Sequence, residues 1–268
     1  MGPPPPSPEA AFQKRARRAS LLADQSPTAQ EALTFAAHLY QAQAELTARL
    51  AAMQQQTSLT GSLSVDLDRF LPQAKAMLGG LANTGNAVLS RAAQERTGES
   101  AEVAASRLLV CWAGDCPGKE HYLSRAILRP YVETLAAFGV APNRTHRAGY
   151  CPFCGGAPWI AARRSASSAD GAQRMLGCSL CGSEWSMARI RCPSCSEEDP
   201  RKLPHFQTDA YPVARIEVCE TCGRYVKSID LTLDARPIPE VDDLLSIALD
   251  VWAGEQGYTR IEPGLAGI

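Results

Sequence analysis

Eight cysteines in four C-x-x-C pairs carry the clearest chemistry in this chain: Cys151 with Cys154, Cys178 with Cys181, Cys192 with Cys195, and Cys219 with Cys222. Twenty-three residues separate the first pair from the second, and 23 again separate the third from the fourth. Ten residues join the two halves, so every cysteine recurs 41 positions later. A repeat of that period marks two copies of one supersecondary unit. Two thiolates at i and i+3 on a tight turn grip one ion, and two such turns close a tetrahedral site. The spacing therefore predicts two metal sites: Cys151, Cys154, Cys178 and Cys181 in the first, and Cys192, Cys195, Cys219 and Cys222 in the second. An interleaved arrangement, with the first and third pairs sharing an ion, is the alternative; the equal spacings and the repeat favour sequential pairing.

Four thiolates suit tetrahedral Zn²⁺ and equally a single rubredoxin-type iron, with structural zinc favoured on the residues alone. Such a site is coordinatively full, which argues against metal-hydrolase chemistry. Gly155, Gly182 and Gly223 follow three of the knuckles and Ser196 the fourth. A knuckle needs a tight or left-handed residue there to turn backbone N–H groups toward sulfur, and glycine supplies it without a Cβ penalty.

The remaining reactive residues offer less. Cys111 falls on an apolar stripe, where a cysteine behaves as a small hydrophobe. Cys116 sits in a Gly- and Pro-containing turn and could join Cys111 or His121, but the other eight cysteines already complete two sites. His38, His146 and His205 are isolated. No Ser/His/Asp order, Walker loop, dinucleotide fingerprint or H-E-x-x-H is present, so neither a catalytic nor a cofactor-binding residue is assigned and a non-enzyme is expected. A thiol oxidoreductase would need an exposed low-pKa thiolate beside a βαβ unit, which the flanking pattern does not offer.

The 268 residues carry 27 Lys and Arg against 28 Asp and Glu, a net charge of −1. Proteins built for phosphate backbones normally show a clear positive excess. Arg163, Arg164, Arg189, Arg191, Arg201 and Lys202 could contact phosphate. However, Glu184, Glu197, Glu198, Asp199, Glu217 and Glu220 share the region, so no nucleic-acid partner is expected. No apolar run approaches the ~18 residues needed to span a bilayer, which predicts a soluble chain without membrane insertion. Arg17-Arg18 lacks a following apolar stretch of the kind an export signal requires. Paired C-x-x-C knuckles without such a signal point to metal in a reducing compartment, the cytoplasm.

The elements that must position the cysteines give an α+β reading. Residues 1–20, which open with Pro3 to Pro6 and Pro8, are expected to be a disordered tail. Residues 21–146 read as an α-helical domain. A helix from Thr28 buries Leu33, Ala36, Ala37, Tyr40 and Ala44; a second carries Leu67, Phe70, Leu71, Ala74, Met77, Leu78 and Leu81, with Pro72 as its start or a kink. A third spans about Glu99 to Trp112 and a fourth about Tyr122 to Phe138. Residues 147–188 and 189–268 then form two tandem rubredoxin-like or zinc-ribbon modules. In each, a short hairpin is expected (159–162 with 174–176, and 205–207 with 214–218). Trp185, Ile190, Tyr225 and Val226 are expected to cover the metal, which should supply most of each small module's folding energy. A C-terminal helix follows, with Glu240, Asp242 and Asp243 suited to its N-terminus and Val241, Leu244, Leu245, Ala248, Leu249 and Trp252 on its buried stripe.

Several motifs in order resemble the FdhE family of formate dehydrogenase accessory proteins. They are Leu128-Arg129-Pro130-Tyr131, Gly149-Tyr150-Cys151-Pro-Phe-Cys154-Gly155, and Cys178-Ser-Leu-Cys181-Gly-Ser-Glu184-Trp185 through Arg189 to Cys192. Cys219-Glu-Thr-Cys222-Gly-Arg-Tyr225-Val226-Lys227, Asp242-Asp243-Leu244-Leu245-Ser246 and Glu255-Gln-Gly257-Tyr258-Thr-Arg260 continue the likeness, which is strong over residues 125–260. The resemblance implies a cytoplasmic maturation factor whose rubredoxin-like modules bind iron. It implies as partner the catalytic subunit of a membrane-associated, molybdenum- or tungsten-dependent formate dehydrogenase before export. The tail after Arg260 departs from the family, which more often carries an Asn-Pro there.

Overall fold

The computed structural model describes residues 7–83, 87–114, 121–165 and 171–267. Two compact units divide the chain: Met1–Gln25 with Leu33–Thr145, and Ser26–Ala32 with His146–Ile268. Among the described residues there are eight α-helices and seven strands.

The first unit is helical: α1 (Pro8–Gln25), α2 (Gln30–Gln56), α3 (Leu63–Leu81), α4 (Ala87–Thr97), α5 (Ala101–Ala113) and α6 (Tyr122–Ala137). Residues 8–20, expected as disordered tail, are corrected to helix. Phe12, Ala16, Ala19, Leu22 and Ala23 are buried at helical spacing, while Arg17 faces water. Pro72 lies inside α3 rather than at its start. Pro130 lies inside α6 and cannot donate to the Ala126 carbonyl one turn earlier. Gln43 of α2 supplies the missing donor, its Nε2 lying 2.8 Å from that oxygen. Phe70, Trp112 and Tyr131 interlock, with Tyr131 5.1 Å and 5.6 Å from the other two ring centres. The Tyr131 hydroxyl donates to the fully buried carboxylate of Asp66. Cys111 is buried on its stripe but is disulfide-bonded rather than a free thiol; Cys116 lies outside the described residues.

The second unit is built on one mixed sheet of seven strands: β1 (Pro158–Ser165), β2 (Ala172–Cys178), β3 (Glu184–Ser186), β4 (His205–Gln207), β5 (Ala214–Cys219), β6 (Arg224–Asp230) and β7 (Thr259–Arg260). Their order is β3-β2-β1-β6-β5-β4, with β7 also paired to β6. Each half of the repeat supplies an antiparallel set, and the parallel pairing of β1 with β6 joins them. The modules therefore do not fold on metal alone. Ala161 and Leu176 of the first half share a core with Val226 and Ile261 of the second, and Trp185 packs on it. Arg163 faces Asp230 across the β1–β6 seam, 2.7 Å apart.

The C-terminal segment comprises α7 (Pro239–Asp242), a 3₁₀ turn over Asp243–Ser246 and α8 (Ile247–Glu255). Asp242 caps, accepting from the Ile238 N–H at 2.8 Å. Asp243 does something the helix-terminus expectation missed: it turns inward and pairs with Lys227 of β6 at 3.0 Å and Arg260 of β7 at 3.0 Å. Asp250 of α8 pairs with the same two cations. Burial alone would raise the Asp243 carboxyl; Arg260 and then Lys227 outweigh it and hold it below the ordinary value. For Asp250 burial wins, and its carboxyl is raised. Two cations against two carboxylates make this a balanced buried cluster, and removing one partner of such a cluster typically costs ~3–5 kcal/mol.

Candidate metal centres

The hairpins place the cysteines. In the first half, β1 and β2 run antiparallel with Pro158 opposite Cys178, so the knuckle entering β1 and the one leaving β2 meet at one end. In the second half, His205 of β4 lies opposite Glu217 of β5, which returns the chain to Cys219 beside the Cys192 knuckle. The Sγ atoms gather into two groups, Cys151, Cys154, Cys178 and Cys181, and Cys192, Cys195, Cys219 and Cys222, each within 4.8 Å of one another. Cys151 and Cys181 are 3.5 Å apart and Cys154 and Cys178 3.4 Å. Cys192 and Cys222 are 3.8 Å apart and Cys195 and Cys219 3.6 Å. A tetrahedral ion with metal–sulfur bonds of about 2.3 Å separates its sulfurs by about 3.8 Å, so the donor sets are of the right type and close to the right size.

The turns agree with that use. Gly155, Gly182 and Gly223 adopt φ of 67°, 68° and 64°, and Ser196 takes 65°, the one non-glycine at positive φ among the described residues. The amide at three of these positions closes the knuckle on the first cysteine's carbonyl at 2.9 Å. Leu180 and Cys181 N–H groups donate to Cys178 Sγ, and the Ser194 N–H donates to Cys192 Sγ. Gly156, which sequence reasoning passed over, lies against the first cluster. A Cβ there would stand 2.7 Å from Cys178 Sγ and 3.2 Å from Cys154 Sγ.

Four crowded thiols cannot ionise together without a counter-charge. Hydrogen bonding from Cys154 first, then Cys178, draws Cys151 far down, whereas burial pushes Cys178 well up. Burial pushes Cys192 up to about 12. A divalent cation held by the four sulfurs would resolve the conflict by keeping all of them as thiolates. The clusters differ in access: the first is wholly buried, whereas in the second Cys195 is exposed and Cys222 half-buried.

Of the residues expected to cover the metal, Tyr225 and Val226 are buried in β6 and Trp185 is half-buried on the shared core. Ile190, expected to be buried over the metal, is instead 52% exposed. His38, His146 and His205 are exposed and join neither cluster. No described helix is long and apolar enough to cross a membrane.

Comparison with known proteins matches both halves of the repeat. The family model described as "FdhE, central domain" covers residues 150–189, and "FdhE, C-terminal domain" covers residues 190–265. The "Protein FdhE homolog" of Aquifex aeolicus is 34% identical over 140 residues, 52% of this chain and 49% of that protein. That of Pseudomonas aeruginosa is 37% identical over 119 residues, 43% of this chain and 38% of that protein. The chain thus spans about half the length, or less, of the curated relatives it matches. The crystal structure of the FdhE protein from Pseudomonas aeruginosa superimposes with a TM-score of 0.70 at 26% identity, covering 96% of this chain and 95% of that one. Over residues 150–265 the chain is thus similar to both FdhE domain models, and over nearly its whole length it is similar in fold to the FdhE protein of Pseudomonas aeruginosa.

Proposed function

We propose that the chain is a cytoplasmic, non-enzymatic accessory factor for formate dehydrogenase that holds one iron in each Cys₄ cluster. In this reading it engages the catalytic subunit of that enzyme through or beside those clusters. The observation that carries the reading is the pair of four-cysteine clusters in the unit built on one sheet, within the stretch matched by both FdhE domain models. Closed sites leave no position for a substrate, which supports a scaffolding or electron-relay role over hydrolysis. Cys151, Cys154, Cys178 and Cys181 would hold one ion, and Cys192, Cys195, Cys219 and Cys222 the other. Iron would supply one-electron chemistry that zinc cannot.

Replacing Cys192 and Cys195 together by serine tests this, read both by formate dehydrogenase activity in cells and by metal content of anaerobically purified protein. The wild type should carry two irons with sulfur-to-iron charge-transfer absorption, and the variant one. Activity should be lost with the variant. Full activity would refute the accessory role, and two zincs without colour would refute iron.

A further inference from the structure

Beside the second cluster lies a cleft of about 80 Å³, with Cys192 and Cys219 on its wall. Five arginines line it, Arg174, Arg189, Arg191, Arg215 and Arg224, against one acidic residue, Glu217. The chain as a whole is not basic, at a net charge of −1. Acids that dilute these arginines along the sequence are engaged elsewhere: Glu184 by Arg164, Asp199 by Arg201, and Glu220 by the Tyr258 hydroxyl. Glu197 accepts from Thr221.

The cleft already demonstrates what it holds. Glu217 is gripped by Arg174 at 2.8 Å and by Arg215 at 2.5 Å. Buried Arg174 also donates to the carbonyls of Ala188 and Arg191, at 3.3 Å and 3.0 Å, and so shapes the loop that presents Arg189 and Arg191. Two charges remain weakly compensated. Arg191 meets Glu198 only at 3.6 Å, with the two side chains 41% and 65% exposed, a contact worth little. Its Nε is buried without a hydrogen-bond partner. Arg224 is exposed and has no carboxylate partner among the described residues. Planar guanidinium forks match carboxylates in paired hydrogen bonds. A nucleic-acid groove would instead need a basic track with stacking platforms spanning several nucleotides.

We propose that this cleft binds a carboxylate side chain from an acidic segment of a partner polypeptide, received by Arg191 and Arg224 beside the buried Cys192 and Cys219 of the second cluster. The assignment rests on the reading of the chain as a factor that engages a client protein, and says where that client would be gripped.

Fluorescence anisotropy of the purified, metal-loaded chain tests it with a labelled ten-residue peptide of alternating Glu and Gly. Wild-type protein should bind this peptide in preference to a Lys/Gly peptide of equal length. The Arg191→Gln/Arg224→Gln double variant should bind about tenfold more weakly at unchanged metal content, since two charge-assisted contacts are removed. Arg201→Gln, whose side chain is 88% exposed outside the cleft, should bind as wild type does. Arg224→Glu alone should abolish binding, a second route to the answer if the double variant folds poorly. Equal affinity of the double and Arg201 variants, tighter binding of a ten-nucleotide single-stranded DNA, or complete competition by equimolar inorganic phosphate would each overturn the proposal. Formate dehydrogenase activity judges the accessory role separately, so a failed cleft with an intact accessory function is recognisable.

Discussion

Gly156 limits how closely the first knuckle can approach the sulfurs behind it. A methyl group there would stand 2.7 Å from Cys178 Sγ and 3.1 Å from the Leu180 Cβ. Neither can yield once the sulfur is tied to an ion and the Leu180 turn donates to that same sulfur. Gly223 has open space around its Cβ position, so alanine there meets only the left-handed backbone penalty of ~1–2 kcal/mol. Gly156→Ala is therefore expected to lose the first metal and keep the second, whereas Gly223→Ala keeps both. Elemental analysis after gel filtration checks this, and two metals retained in Gly156→Ala would refute it. The gathering of the cysteines into two groups of four was legible because knuckle spacing is a local signal, as was the need for left-handed residues after each pair. Gly156 was not, because its neighbour is Cys178, brought in by the hairpin. Lys227 and Asp243 were hidden for the same reason. A charged residue in sequence reads as solvated until a distant partner removes it from water.

Strand β5 carries the clearest pH signature among the elements. Burial alone would raise the Glu217 carboxyl, but Arg174 and then Arg215 outweigh it and hold it below its ordinary value. A depressed folded value means the stabilisation is complete above the unfolded value near 4.5 and is lost as pH falls through the lower folded value. Glu217→Gln should therefore cost about 3 kcal/mol at neutral pH, and the gap from wild type should shrink below pH 4.5. Denaturant unfolding at a series of pH values measures it; acid release of metal is common to both proteins and drops out of the difference. A gap that stays constant down to pH ~3 would contradict the assignment. Helices with large apolar residues at regular spacing, such as α3 and α6, could be read directly. Helix α1 could not, because the proline run ahead of it and its four basic residues masked the small stripe of Phe12, Ala16, Ala19 and Leu22. Strand β6 was seen only as a cover for metal: its central place in the sheet depends on the parallel partner β1, more than sixty residues earlier, and Lys227 is buried against the carbonyls of Asp243 and Ser246.

At the scale of the whole molecule, metal dependence belongs to one of the two units. The helical unit has its own core around Tyr40, Phe70 and Tyr131 and contains neither cluster. In the other unit, one sheet spans both halves of the repeat, so ions held by the two clusters would brace a common structure rather than two independent beads. Their loss should nevertheless be staged. An exposed ligand such as Cys195 lets a chelator and water reach the second ion, whereas four buried sulfurs oblige the first to wait for the sheet to open locally. A chelator added to metal-loaded protein is therefore expected to remove metal in two kinetic phases of equal amplitude, the faster from the second cluster. Cys195→Ser should eliminate the fast phase and leave the slow one. As the slow phase completes, the sheet unit should become open to proteolysis while helical ellipticity from α1 to α6 persists, because those helices are stabilised by apolar packing that no ion touches. Release in a single phase would refute staged loss, and loss of the helical signal together with the second metal would show that the two units share one cooperative transition.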